Sequence, residues 1–135
     1  MHNQYTDLRS YTDAFKALSD KTRLRIFYIL CKLNKQLAVC EIMDSVNESQ
    51  YNVSRHLKAL KYAGLIQENK SGRWVFYSIN HDDEMMLPEL IKVIRGLDPA
   101  GFKDDIKRAK ARLQKRHKGK IIYCLNKCIP GGKNE

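Results

Sequence analysis

Glu48-Ser49-Gln50-Tyr51-Asn52-Val53-Ser54-Arg55-His56-Leu57-Lys58-Ala59-Leu60, then Tyr62-Ala63-Gly64-Leu65-Ile66-Gln67, then Lys70-Ser71-Gly72-Arg73-Trp74-Val75-Phe76-Tyr77-Ser78-Ile79-Asn80: this stretch decides the fold. Val53, Leu57 and Leu60 form one apolar stripe, so residues 50–63 read as a helix with a polar outer face, ended by Gly64. Leu65–Glu68 and Arg73–Ile79 alternate in the manner of paired strands, with the turn expected at Asn69-Lys70-Ser71-Gly72. A polar-faced helix followed by a basic hairpin can engage two grooves of a DNA duplex at once.

Upstream, Ala38–Ser45 reads as a short helix with the core stripe Val39, Ile42, Met43 and Val46, and Ser49 or Asn47 is placed to cap the helix that follows. Two short helices joined by a tight turn make a helix-turn-helix. Before it lie a helix over Thr6–Leu18 and one over Arg23–Leu33, the second apolar over most of its circumference and therefore central. Ser19, Asp20 or Thr22 can cap the latter. After the hairpin come a helix over Met85–Leu97, with Pro88 in its first turn, and a last helix over Ala100–His117. The expected fold class is mainly α with a β-hairpin wing, a homodimeric winged helix-turn-helix. Residues 1–97 read as the DNA-binding and dimerisation domain, and 98–135 as a basic helix and a cysteine-containing tail.

The composition agrees. The 135 residues carry a net charge of +10, which favours polyanionic partners, chiefly nucleic acid. A local excess of seven positive charges lies between Lys103 and Lys120, either reaching flanking phosphates or forming a solvated face over Phe102, Ile106, Ala109 and Leu113, with packing the expected first role and phosphate contact secondary. No apolar run approaches the ~18–20 residues that span a bilayer, and the N-terminus lacks a signal-peptide layout, so a cytoplasmic protein with four reduced thiols and no membrane partner is expected. No nucleophile elbow, phosphate-binding Gly loop or His-Glu metal motif occurs, which argues against an enzyme.

Ala17-Leu18-Ser19-Asp20-Lys21-Thr22-Arg23-Leu24-Arg25-Ile26 resembles the opening signature of the ArsR/SmtB winged-helix repressors. Ser49–Lys58, Ala63-Gly64-Leu65 and Gly72–Tyr77 resemble that family's recognition helix and wing, and the resemblance covers roughly residues 10–97. It implies a homodimer built on the first and fifth helices, bound to double-stranded operator DNA. It also implies repression that a bound metal or metalloid relieves.

On the DNA side, Arg55 is the candidate for bidentate contact to guanine, and Asn52 or Gln50 for adenine. Ser49, Ser54 and Lys58 are candidates for the phosphate backbone, and Lys70 and Arg73 at the wing for phosphate or the minor groove. His56 lies towards the packed side and reads as a core or capping residue, and Trp74 and Tyr77 as hairpin packing.

On the effector side, arsenic-sensing members of the family carry Cys-Val-Cys-x-x-Cys on the third helix, whereas this chain has Ala38-Val39-Cys40-Glu41-Ile42-Met43. Only the middle thiol remains. The tail supplies Cys124 and Cys128, which share a face if helical. Cys40 sits about 100° from its helix's core stripe and on that count need not be buried. A three-thiolate site of Cys40, Cys124 and Cys128 suits arsenite or antimonite as inducer, with cadmium and lead behind them; tetrahedral zinc would need a fourth ligand. The competing readings are a core Cys40 and a redox-active tail dithiol, the latter making the protein a redox or persulfide sensor of the same fold. Cys31, inside an apolar stripe, reads as core.

Overall fold

The computed structural model describes residues 8–83, 86–116 and 121. The order is α1 (Leu8–Leu18), α2 (Lys21–Leu33), β1 (Leu37–Ala38), α3 (Val39–Val46), α4 (Gln50–Tyr62), β2 (Ile66–Ser71), β3 (Trp74–Ile79), α5 (Leu87–Arg95), a 3₁₀ turn (Pro99–Phe102) and α6 (Lys103–Leu113). The expected starts at Thr6 and Met85, the end at His117, and the thiols Cys124 and Cys128 lie outside the described residues.

Helix α2 is the hub. Ile26 through Cys31 are all buried, as its all-round apolar character requires. Asp20 starts the helix by accepting from the backbone N–H of Arg23 at 3.0 Å, a hydrogen bond that lowers its pKa. Asn34 and Asn47 end α2 and α3 in the left-handed region, the conformation asparagine tolerates best after glycine. Ser49 begins α4, its hydroxyl accepting from Asn52 N–H at 3.2 Å. Gly64, at φ +79°, ends it, and Leu65 N–H returns to Leu60 C=O at 3.1 Å.

The wing departs from the expected turn. Its strands run on to Ser71 and restart at Trp74, and Ser71 pairs with Trp74, so only Gly72 and Arg73 form the tip. Gly72, at φ +63°, is first of the two, the position a type II′ turn reserves for glycine. Asn69 and Lys70 therefore sit in a strand, opposite Phe76 and Val75. A third strand that the sequence reading lacked, β1, pairs antiparallel with β3 through Leu37–Tyr77 and Ala38–Phe76. It ties the start of α3 to the wing.

The break expected at Asp98-Pro99 is present, but the last helix starts at Lys103 rather than Ala100: Asp98 accepts from Ala100 N–H, and a 3₁₀ turn over Pro99–Phe102 brings Phe102 onto Tyr28. The two rings stack with centroids 3.8 Å apart and planes 8° from parallel. Helix α6 then runs along α3. At the other side of the hub, Arg95 of α5 donates to the Cys31 carbonyl at 2.8 Å. Helices α1 and α5 leave Phe15 and Val93 exposed, in a groove of about 500 Å³ lined also by Tyr11, Met86, Glu89 and Leu90.

Candidate nucleic-acid interface and the helix behind it

Val53, Leu57 and Leu60 are buried and hold α4 against the core, which turns the opposite face to solvent. Gln50, Tyr51, Ser54, Arg55 and Lys58 together line an open groove of about 560 Å³ on that face. The Arg55 guanidinium lies 5.9 Å from the centre of the Tyr51 ring, which steadies a long side chain that has no carboxylate partner among the described ion pairs. Two candidate residues are already engaged. Ser49 caps the helix, and half-buried Asn52 donates through Nδ2 to Glu48 Oε1 at 3.2 Å.

His56 is buried, as its place on the packed side implied. Its Nδ1 lies 3.3 Å from Arg23 Nη1 and 3.8 Å from the Asp20 carboxylate. A guanidinium can only donate, so Nδ1 accepts and the ring is neutral. Burial, opposed by Asp20, depresses its pKa. On the wing, Lys70 and Arg73 are exposed, with the Arg73 guanidinium 5.4 Å above the Trp74 ring. Tyr77 donates to Glu68 at 3.3 Å, and burial together with that carboxylate pushes its pKa up to about 12. Lys61 also meets Glu68, at 3.3 Å, anchoring the hairpin to α4.

A recognition helix, a hairpin with a basic tip and a scaffold that aims both to one side define the winged helix-turn-helix. Residues 20–68 match the family model "Bacterial regulatory protein, arsR family". The chain is 35% identical over 98 residues to the arsenic resistance transcriptional regulator ArsR2 of Pseudomonas putida, covering 73% of this chain and 84% of that one. This chain belongs to the ArsR family. A cadmium resistance regulatory protein CadC homolog of Staphylococcus aureus is 39% identical over 75 residues, 56% of this chain and 61% of its own. Among solved structures, the homodimeric winged helix-turn-helix domain of a possible ArsR-family regulator from Mycobacterium bovis superposes with a TM-score of 0.57. It is 26% identical, and the match covers 65% of this chain and 77% of the other. This ArsR-family protein is thus a DNA-binding transcriptional repressor and not an enzyme. No helix among its described residues is long and apolar enough to cross a membrane.

The surroundings of Cys40 differ from the sequence expectation. The thiol is 1% exposed, because a second helix covers the side of α3 that the core stripe leaves open. That helix is α6. Arg112 stands over the sulfur, with Nη2 at 3.6 Å from Sγ and Nε at 2.8 Å from Asp44 Oδ2. Burial pushes the Cys40 pKa up to about 11, against the pull of the Arg112 charge. Cys31 is fully buried, and its thiol is pushed up to about 12. On a different side, Cys40 borders a cavity of about 180 Å³ shared with Ala38, Val39, Gln50, Trp74, Val75 and Tyr77. The cavity touches α3, the first residue of the recognition helix and the wing strand. No cluster of three or more metal-ligating side chains occurs among the described residues.

The basic last helix packs on the domain as expected, but by its arginines as well as by its apolar stripe. Its arginines and lysines divide the work: Arg108, Arg112 and Arg116 turn to α3, while Lys103, Lys107, Lys110 and Lys115 are exposed. The signal was available as arginine, rather than lysine, at every fourth position, opposite carboxylates at 41 and 44.

Proposed function

We propose that this ArsR-family repressor works as a cytoplasmic homodimer that leaves its operator when a thiophilic metalloid, foremost trivalent arsenic or antimony, is bound by Cys40, Cys124 and Cys128. Residues 1–97 carry DNA binding and dimerisation, and 98–135 add α6 and the tail thiols. The observation that carries the reading is the place of Cys40. It stands in the helix-turn-helix's first helix, beside a cavity that reaches both Gln50 and the wing. A ligand gathered at that sulfur acts directly on the elements that face DNA. Arsenic and cadmium both figure in the names of its relatives, and both are thiophilic. Metal binding deprotonates its ligands, so an elevated resting pKa makes loading pH-dependent without preventing it. The same elevation weighs against Cys40 itself as a redox-sensing thiol, which needs a thiolate at rest.

On the output side, Arg55 and Gln50 read base edges in the major groove with Asn52 beside them. Ser49, Ser54 and Lys58 position the backbone, and Lys70 and Arg73 extend the contact through the wing. The apolar groove between α1 and α5 is the surface a second copy covers. Coupling then requires that inducer favour the DNA-incompetent dimer, and that DNA weaken inducer binding by the same factor.

Titrating arsenite into the DNA complex of single Cys→Ser variants tests the reading. Cys40→Ser, Cys124→Ser and Cys128→Ser should each hold DNA at arsenite concentrations that release the parent protein. Release that survives all three substitutions overturns the thiolate site.

A further inference from the structure

The contacts between α6 and α3 follow one register. Arg108 Nε donates to the Ser45 carbonyl at 2.8 Å, Arg112 pairs with Asp44 at 2.8 Å, and Arg116 grips both oxygens of Glu41 at 2.6 and 2.7 Å. Positions rising by four, Arg108 and Arg112 on α6 and Arg116 three residues past its end, meet falling positions on α3, so the helices run antiparallel. Both ends of α3 are held. At its C-terminus, Arg108 and Arg25 satisfy the carbonyls of Ser45 and Val46, where a helix favours cations. Asp105 binds these two arginines together, at 2.8 Å each. At its N-terminus, Glu41 accepts from Ala38 N–H at 3.0 Å while Arg116 also donates to Gln36 C=O. The apolar share of the contact is small in residue number: on α6 itself Ala109 is buried and Ile106 and Leu113 are partly buried against the core, with Phe102 stacked on Tyr28 just before the helix.

We propose that α6 is a releasable strap on the helix-turn-helix, and that its arginine ladder, when seated, fixes α3 and with it the recognition helix in the DNA-binding pose. Only Asn47-Glu48-Ser49 separates α3 from α4, so a shift at either end of α3 is passed to the reading helix. Helix α2, by contrast, buries every residue from Ile26 to Cys31 and meets α6 through the Arg25–Asp105 pair. Unseating α6 also removes Arg112 from above the Cys40 sulfur, so the strap controls how readily that thiol is reached. This last consequence rests on the Cys40 reading above; the control over DNA binding does not.

The test uses the full chain with Cys124→Ser and Cys128→Ser, leaving Cys31 and Cys40 as the only thiols. The paired substitution Asp44→Asn with Arg112→Met removes the middle rung without stranding a charge. Maleimide labelling followed by peptide mass spectrometry should show Cys40 reacting at least tenfold faster than in the parent, with Cys31 unchanged as a control for unfolding. Affinity for a duplex selected by the protein from a random pool should fall several-fold. Native hydrogen exchange on the parent chain supplies a measurement that needs no variant to fold. Amides of residues 103–113 should exchange faster than those of α2, through an opening that spares the hub. The proposal is overturned if α6 exchanges only together with α2, if Cys40 labels in the parent as fast as in the unfolded chain, or if a loosened α6 leaves DNA affinity unchanged. None of these measurements contains arsenite, so failure of the thiolate site leaves them standing.

Discussion

Along the recognition helix the cations stand open to solvent, whereas along the α3–α6 seam Arg25, Arg108, Arg112 and Arg116 are each held by a carboxylate or a carbonyl. The two regions use the same charge for opposite purposes. Arg55 and Lys58 keep donors available for a partner that arrives from outside. The seam spends its donors internally, and it buries Glu41 and Asp105 to do so. A large positive net charge is therefore a poor count of DNA-facing groups. Three arginines of the basic tail, Arg108, Arg112 and Arg116, are structural, and its exposed lysines at 103, 107, 110 and 115 add to the outward field.

The comparison can be broken most severely at Glu41. Arg116→Met leaves a buried carboxylate without its cation and should lower the unfolding free energy by about 3 kcal/mol, read from urea melts. Adding Glu41→Gln should restore much of that loss; a loss under about 1 kcal/mol would make the seam an ordinary surface feature. On the output side, Arg55→Ala should cost roughly 1–3 kcal/mol of operator affinity and relax sequence preference, with the melting curve unchanged. Equal losses on selected and scrambled duplexes would move Arg55 from base reading to backbone contact. Ser49→Ala should cost about 1 kcal/mol of stability through the lost N-cap, visible as a lower melting midpoint.

A pH test reaches the packed side of the recognition helix, where His56 meets Asp20 and Arg23. The folded-state pKa of His56 lies below its ordinary 6.5, so folding is favoured by the neutral ring above that pH and loses this contribution as the pH falls below it. Stability should decline from about pH 6.5 downward, and His56→Gln should flatten that limb of the profile. The smallest effect belongs to the wing. Lys70→Ala should weaken all duplexes alike and reduce the salt slope by about one unit, checked by a salt titration.

Most of the architecture was legible because periodicity and punctuation agreed: Val53, Leu57 and Leu60 with Gly64 after them define α4 without ambiguity. The illegible parts share a cause. Strand β1 is two residues long and carries no period of its own, being made by its partner β3. The turn was displaced because Asn69-Lys70-Ser71-Gly72 has the composition of a turn, while pairing of Ser71 with Trp74 leaves room for two residues only. Cys40 was assigned by its angle on α3 alone, and a single-helix angle cannot register the arrival of α6 from 72 positions away. Tertiary contact decided what local pattern left open.

The chain's lone tryptophan, Trp74, stands where β3 begins, beneath Arg73 at the tip of the wing. The aromatic stack that fastens α6 to the hub, Tyr28 on Phe102, contains no indole. Excited at the red edge of its spectrum, the protein therefore carries a built-in lamp on the wing, which also lines the Cys40 cavity, and stays dark along α6, so events at the wing can be followed optically without attaching a dye.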